Sequence, residues 1–207
     1  MTGEWLEPAA RKRIGAIVRA IEARTSAEVV VIVRARSSAH RHVDLALGAA
    51  LGFAALLVYV FAPVTFNDDV APLAIASCFA AGALLSASLN VVKRPFVRRA
   101  ARREAVRLAA RAAFVDQGVA STRSRRGLLV YLSLFEREAD VVADVGVDVS
   151  AMGPAWAQGI AALEAAVRGG GAVEEVGKAL LALGDLLATA MPVTADDVNE
   201  LPDEVAA

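Results

Sequence analysis

Residues 45–62 read LALGAALGFAALLVYVFA and residues 72–92 read PLAIASCFAAGALLSASLNVV, with no Lys, Arg, Asp or Glu in either run. Each run is close to the ~20 residues a helix needs to cross ~30 Å of hydrocarbon. Between them lies a short polar link, residues 63–70, carrying Asn67, Asp68 and Asp69. So short a link makes the two helices antiparallel neighbours. The remaining chain is too small to wrap two helices that are apolar on every side, which disfavours a buried hairpin of a soluble protein. The expectation is a transmembrane hairpin over residues 44–92, set inside a chain that otherwise reads as α/β.

Basic residues set the expected orientation. Arg34, Arg36 and Arg41 precede the first run, and Lys93, Arg94, Arg98, Arg99, Arg102 and Arg103 follow the second. The link has two acids and no base. Positive charge flanking the spans places both flanks, and so both termini, in the cytoplasm and only the link outside. Residues 1–24 are charged and helical in pattern, without the apolar core of a secretory signal, so the hairpin itself is expected to direct insertion.

At 207 residues there is room for the hairpin and one domain of roughly 150 residues. Hydrophobic residues make up 57% and the mean hydropathy is +0.50, values that two spans account for. The net charge of −1 conceals an asymmetry: bases crowd into residues 93–126 and acids into residues 196–204. A basic stretch beside a membrane serves topology and anionic lipid. Nucleic-acid binding is disfavoured, because no aromatic residues are interleaved with the bases for stacking. The single cysteine, Cys78, lies inside the second run and has no partner for a disulfide or a thiolate metal site.

Outside the hairpin the periodicities alternate. Ile14, Ile17, Val18 and Ile21 recur at helical spacing within residues 8–24, and Pro8 suits a first helical turn. Residues 27–35 contain Val29, Val30, Val31, Ile32 and Val33 in succession, a strand buried on both faces as in parallel sheets. Residues 98–114 read as a helix, residues 128–134 and 139–145 as two strands joined by residues 135–138, and residues 154–167 and 173–191 as two more helices. A one-to-one register of the two later strands would set Gly127 near Gly146. Gly169, Gly170 and Gly171 break the last two helices apart. The strand–helix–strand order makes the first two strands parallel with a right-handed crossover. The expected fold class is therefore α/β, a small mixed sheet flanked by helices and interrupted by a two-helix transmembrane hairpin. Residues 1–43 supply its first helix and strand, 44–92 the hairpin, 93–192 the remainder, and 193–207 an acidic tail.

The carboxy-terminal half carries a pattern as a set. Gly118 and Val119 are followed by Ser121, Thr122 and Arg123, then by GLLVYLS at 127–133, Glu136 and Arg137, and VVAD at 141–144 with Gly146. Trp156, Pro192, Asp196, Asp197, Asn199, Glu200, Leu201 and Pro202 continue it, and RTSAE at 24–28 leads into the first strand. This pattern resembles the TPM domain and covers about two-thirds of the chain. The resemblance implies an α/β sandwich with a central sheet. Family members include plant proteins described as acid phosphatases and others that act as accessory factors for membrane complexes; some bind a divalent cation. The usual family layout is a continuous domain, whereas here two spans intervene after the first strand.

Two neighbourhoods are expected to carry any chemistry. At one end of the sheet, Glu28, Thr122, Arg123, Arg126, Asp144 and Asp148 come together. Asp144 and Asp148, with Glu28 as a third ligand, could hold Ca²⁺ or Mg²⁺ through oxygen, and Arg123 and Arg126 could hold an anion. The competing expectation is ordinary strand-end pairing of Asp144 with Arg123 or Arg126. At the other end, Glu136 and Arg137 are expected to form a solvated hairpin tip. His40 and His42 fall at the start of the first span. No HExxH, P-loop, GxGxxG or GxSxG arrangement is present, and the spacing of Asp144 and Asp148 does not suit a haloacid-type phosphatase, so no catalytic residue is assigned. The bases at 98, 99, 102, 103, 107 and 111 recur at helical spacing and could bind anionic lipid or the acidic tail, residues 196–204; lipid contact, above all by Arg98, Arg102 and Arg103, is the preferred expectation. Gly48 and Gly52 at GxxxG spacing, with the small residues of the second run, suit packing of the hairpin on itself or, secondarily, a homo-oligomer. The functional expectation is a bacterial inner-membrane protein with a cytoplasmic accessory or interaction domain, its protein partner unspecified; the alternative is a weak divalent-cation-dependent phosphatase or hydrolase.

Overall fold

The computed structural model describes residues 4–5, 7–63, 66–67, 69–88 and 96–194. The expected acidic tail beyond residue 194, the end of the second apolar run (89–92), Lys93, Arg94 and Asp68 lie outside the described residues. The chain divides into two compact units, one of residues 1–37 and 102–207, the other of residues 38–101.

In the α/β unit, helix α1 (Pro8–Glu22) begins with its proline in the first turn and buries Ala10, Ile14, Val18 and Ile21 along one stripe. Strand β1 (Glu28–Arg34) follows directly. After the second unit the chain re-enters through helix α4 (Arg99–Asp116), a short 3-10 turn (Val119–Ser121), strands β2 (Gly127–Ser133) and β3 (Glu138–Ala143), and helices α5 (Val149–Gly169) and α6 (Val173–Ala190). The sheet is mixed and ordered β1-β2-β3. β1 runs parallel to β2, from Glu28 opposite Gly127 to Arg34 opposite Ser133, as the two unbroken apolar runs require. β2 and β3 form the expected antiparallel hairpin.

Both faces of the sheet are covered. One face presents Val29, Val31, Val33, Leu128, Val130 and Leu132 to a core completed by α1, α5 and α6, including Ile14, Trp156, Leu163, Leu180 and Leu183. The other presents Val30, Ile32, Leu129 and Tyr131 to Val106 and Ala110 of α4 and to Val119. Full burial of side chains of this size contributes about 1.5–3 kcal/mol each. Trp5 locks the amino terminus down: its indole N–H donates to the Gly171 carbonyl at 2.6 Å, inside the glycine break between α5 and α6. In that break Gly171 takes φ +62°, a conformation that favours glycine.

The structure shifts the hairpin register by two residues. Leu128 lies opposite Ala143 and Ser133 opposite Glu138, so Gly127 faces Asp144 rather than Gly146. The turn is residues 134–137, with Arg137 at φ +51°, which brings Glu138 into the ladder. Because the shift is even, every side chain keeps its face. α5 also starts five residues before the expected 154, capped by Asp148, whose carboxylate accepts from the Ala151 amide at 3.0 Å. Gly153 (φ 56°, ψ −141°) kinks it just before Pro154.

The second unit holds helices α2 (Arg41–Phe61) and α3 (Ala71–Ser88), with mean hydropathies of 2.1 and 1.6; both are long and apolar enough to cross a membrane. They pack on each other through glycine. A Cβ on Gly48 would lie 2.8 Å from the Phe79 carbonyl oxygen, and one on Gly82 would lie 3.0 Å from the Leu47 carbonyl oxygen. The GxxxG pair is thus used within the hairpin, where it brings the backbones together. Where α2 begins and α3 ends, the Ser86 hydroxyl donates to Asp44 at 2.6 Å. The outer surface is apolar and open: Phe53 is 60% exposed, Phe61 77%, Leu73 69% and Leu84 67%. Cys78 is also exposed.

Candidate functional sites at the two ends of the sheet

At the end where β1 and β2 begin, Asp144 follows β3 and is nearly buried. Its carboxylate receives two hydrogen bonds from one guanidinium, Arg125 Nε at 2.6 Å and Nη2 at 2.8 Å, and a third from the Val145 amide at 2.7 Å. The Arg125 contact above all holds the Asp144 carboxyl below the usual carboxylate range. The partner of Asp144 is therefore Arg125, not Arg123 or Arg126. Arg125 reaches it by adopting φ +53° in the turn after Thr122. Gly146 lets that turn sit close, since a Cβ there would come within 2.5 Å of the Ser124 carbonyl oxygen.

The other expected members of this cluster are dispersed. Asp148 is exposed and caps α5, with its carboxyl held low by the Ser150 hydroxyl and the Ala151 amide. Arg126 donates to the Ser26 hydroxyl at 2.8 Å, bracing the start of β1. Glu28 is buried, and Arg123 is exposed. Thr122 is buried with a hydroxyl that meets no partner among the described residues. Among the described residues no group of three or more His, Cys, Asp or Glu side chains is placed to hold a metal ion. His40 and His42 stack edge to face with ring centroids 6.1 Å apart.

The opposite end differs from expectation. Glu136 is not a solvated tip but fully buried, as is Ser133. The Glu136 carboxylate accepts from the Ser133 hydroxyl at 2.5 Å and from the Ser37 amide at 3.1 Å. The Ser37 hydroxyl donates to Ser133 at 2.9 Å. On the returning chain, Arg102 makes a long 3.5 Å contact to the Glu136 carbonyl. One buried polar cluster thus binds the point where the chain leaves the α/β unit, Ser37, and the point where it comes back, Arg102. A carboxylate beside a serine hydroxyl is the pairing of a base with a nucleophile, and here both are fully buried. The cluster pairs Ser37, Ser133 and Glu136 at the root of the insertion, while Arg102 Nε is buried without a hydrogen-bond partner among the described residues. The tip residue Arg137 follows the buried Glu136, so charge alone does not reveal which of two adjacent turn residues faces inward.

The arginines expected at lipid split between environments. Arg98 is exposed; Arg102 is half-buried against the Glu136 turn; Arg103 reaches across to Glu164 of α5 at 3.1 Å, which also binds Arg168 at 3.0 Å. Arg107 and Arg111, one and two turns further along α4, are exposed. They act through space on Asp140 of β3, whose carboxyl is nevertheless pushed up, because partial burial outweighs both arginines.

No protein-family profile matches the chain, and no curated protein matches it at a significant level. Among solved structures it is similar to the NMR structure of the BA42 protein from the psychrophilic bacterium Bizionia argentinensis, with a TM-score of 0.58 and 16% identity over 98% of this chain and 95% of that one. At that identity the likeness concerns the fold alone.

Proposed function

We propose that the protein is an integral membrane protein of the bacterial inner membrane whose α/β domain faces the cytoplasm and serves as an accessory or interaction module. The observation that carries this reading is the open apolar surface of α2 and α3, with Leu45, Phe53, Val58, Phe61, Leu73 and Leu84 each more than half exposed in a chain whose other large apolar side chains are mostly buried. Exposed apolar area on that scale marks a surface meant for lipid or protein. The distribution of arginines about the hairpin supports cytoplasmic flanks, with Arg98 next to anionic headgroups. The resemblance to the TPM domain supports an accessory role. So does the arrangement of the sheet ends, where the serine–carboxylate pair is fully buried and Asp144 is engaged by arginine. Extraction separates this reading from a soluble one: the protein stays with membranes at alkaline pH and is released by detergent. Release by carbonate alone would overturn the reading.

A further inference from the structure

The sheet has an edge at β3, and its geometry points to a partner. In the antiparallel β2–β3 pair, the Asp144 amide donates to the Gly127 carbonyl at 2.9 Å. That bond fixes which residues of β3 turn their main chain toward β2: Glu138, Asp140 and Val142. The amides and carbonyls of Ala139, Val141 and Ala143 therefore point away from the sheet. No main-chain group among the described residues pairs with these three, and the only side-chain cover is the Asp140 carboxylate on the Val141 amide. Asp140, Val141, Val142 and Ala143 are half-exposed, whereas Glu138 and Ala139 are buried. Natural edge strands are normally shortened, bulged or blocked with charge. Here the block is partial. The Arg103–Glu164 pair joins α4, on one face, to α5, on the other, and so passes around β3. Beyond it stand Arg107 and Arg111, which hold no hydrogen bond or close ion pair among the described residues.

We propose that the open part of the β3 edge, from Asp140 to Ala143, receives an extended, acidic segment of a partner protein as an added strand, with Arg107 and Arg111 taking its carboxylates. Main-chain pairing supplies affinity in this mode, and the flanking side chains supply selectivity. Charge selects the occupant: the helix beside the edge offers two exposed guanidiniums that act on Asp140 only through space, without a hydrogen bond or close ion pair among the described residues, and guanidiniums pair well with carboxylates. A second copy of this chain would set those arginines against their own equivalents. This extends the reading of the domain as an interaction module by naming the partner class. Membrane insertion is measured by a different assay, so failure of one is not mistaken for failure of the other.

The test uses the full chain in neutral detergent micelles and a fluorescein-labelled hexapeptide of alternating glutamate and valine, followed by anisotropy. The expected result is saturable binding. It weakens at least tenfold with Val141→Pro, which removes an outward amide, and with it that amide's bond to the Asp140 carboxylate, while leaving the β2 ladder intact, and at least tenfold with Arg107→Glu/Arg111→Glu. N-methylating alternate peptide amides weakens it similarly on the unmodified protein, so the result does not depend on the proline variant folding. Four outcomes overturn the proposal. One is no saturable binding. A second is binding sensitive to the arginines but not to Val141→Pro or N-methylation, which is charge contact only. A third is binding to phosphatidylglycerol vesicles through Arg107 and Arg111 without any binding of the peptide. The fourth is self-association abolished by Val141→Pro.

Discussion

Replacing Glu136 with alanine tests whether the buried polar cluster holds the α/β unit together at the root of the insertion. The carboxylate accepts from the Ser133 hydroxyl and the Ser37 amide, and both glutamate and Ser133 are fully buried. Truncation leaves two donors without an acceptor in a site closed to water. A buried donor left unsatisfied costs about 1–3 kcal/mol, so the pair costs about 2–6 kcal/mol before any contribution from the space left behind. Against a total stability of about 5–15 kcal/mol that is a large loss. Trp5 and Trp156 are both buried in the α/β core, so tryptophan fluorescence in urea reports on this unit and not on the hairpin. With a slope of about 2 kcal/mol/M, the midpoint falls by about 1–3 M. Glu136→Gln keeps one acceptor oxygen, which can take the place of Oε2 and serve both donors, and costs less than the alanine. An alanine variant within about 0.5 kcal/mol of the parent, measured in the same micelles, would refute the reasoning and show that the cluster contributes nothing net.

Four further outcomes follow from the same geometry. Gly127→Ala places a Cβ 2.4 Å from the Val119 carbonyl oxygen, a main-chain clash that costs about 1–3 kcal/mol and is read as a lowered melting temperature. Asp144 has its pKa lowered in the fold, so its contribution is complete above its ordinary value of 3.8 and is lost as pH falls through the folded value; Asp144→Asn flattens that acid limb of the stability profile. Asp140 is the reverse case: its pKa is raised, so its ionised form at neutral pH opposes folding, and Asp140→Asn stabilises at pH 7 with a gain that disappears at low pH. Because Arg125 engages Asp144 through two hydrogen bonds, millimolar Ca²⁺ or Mg²⁺ leaves the melting temperature unchanged; an upward shift abolished by Asp144→Asn would instead reinstate a cation site there.

The sheet was legible in the sequence because its strands are buried on both faces and therefore unbroken in apolar character. Val29–Val33 and Leu128–Leu132 announce parallel neighbours although the whole hairpin separates them in the chain. The two apolar helices were legible for the same reason, as were the glycines that let them pack. Register was not, because it depends on the left-handed conformation of Arg137, which no composition signal marks. The partner of Asp144 was missed on similar grounds. Arg123, Arg125 and Arg126 are chemically alike, and only the φ of Arg125 and the space left by Gly146 decide which one turns inward. The buried cluster was hardest to foresee. Its members, Ser37, Arg102, Ser133 and Glu136, are brought together by the topology, and a glutamate at a hairpin turn ordinarily faces water.

The central claim is that α2 and α3 cross the membrane with the α/β unit inside. Cysteine labelling in intact cells tests it most directly, in a Cys78→Ala background that removes the one native thiol. A cysteine at Asn67, in the exposed link between the helices, is expected to react with a membrane-impermeant maleimide. One at Val145, 83% exposed beside β3, is expected to react only after the cells are lysed. Labelling of position 145 but not 67 in intact cells would invert the topology. Protection of both, together with release of the protein by carbonate, would contradict the membrane assignment itself.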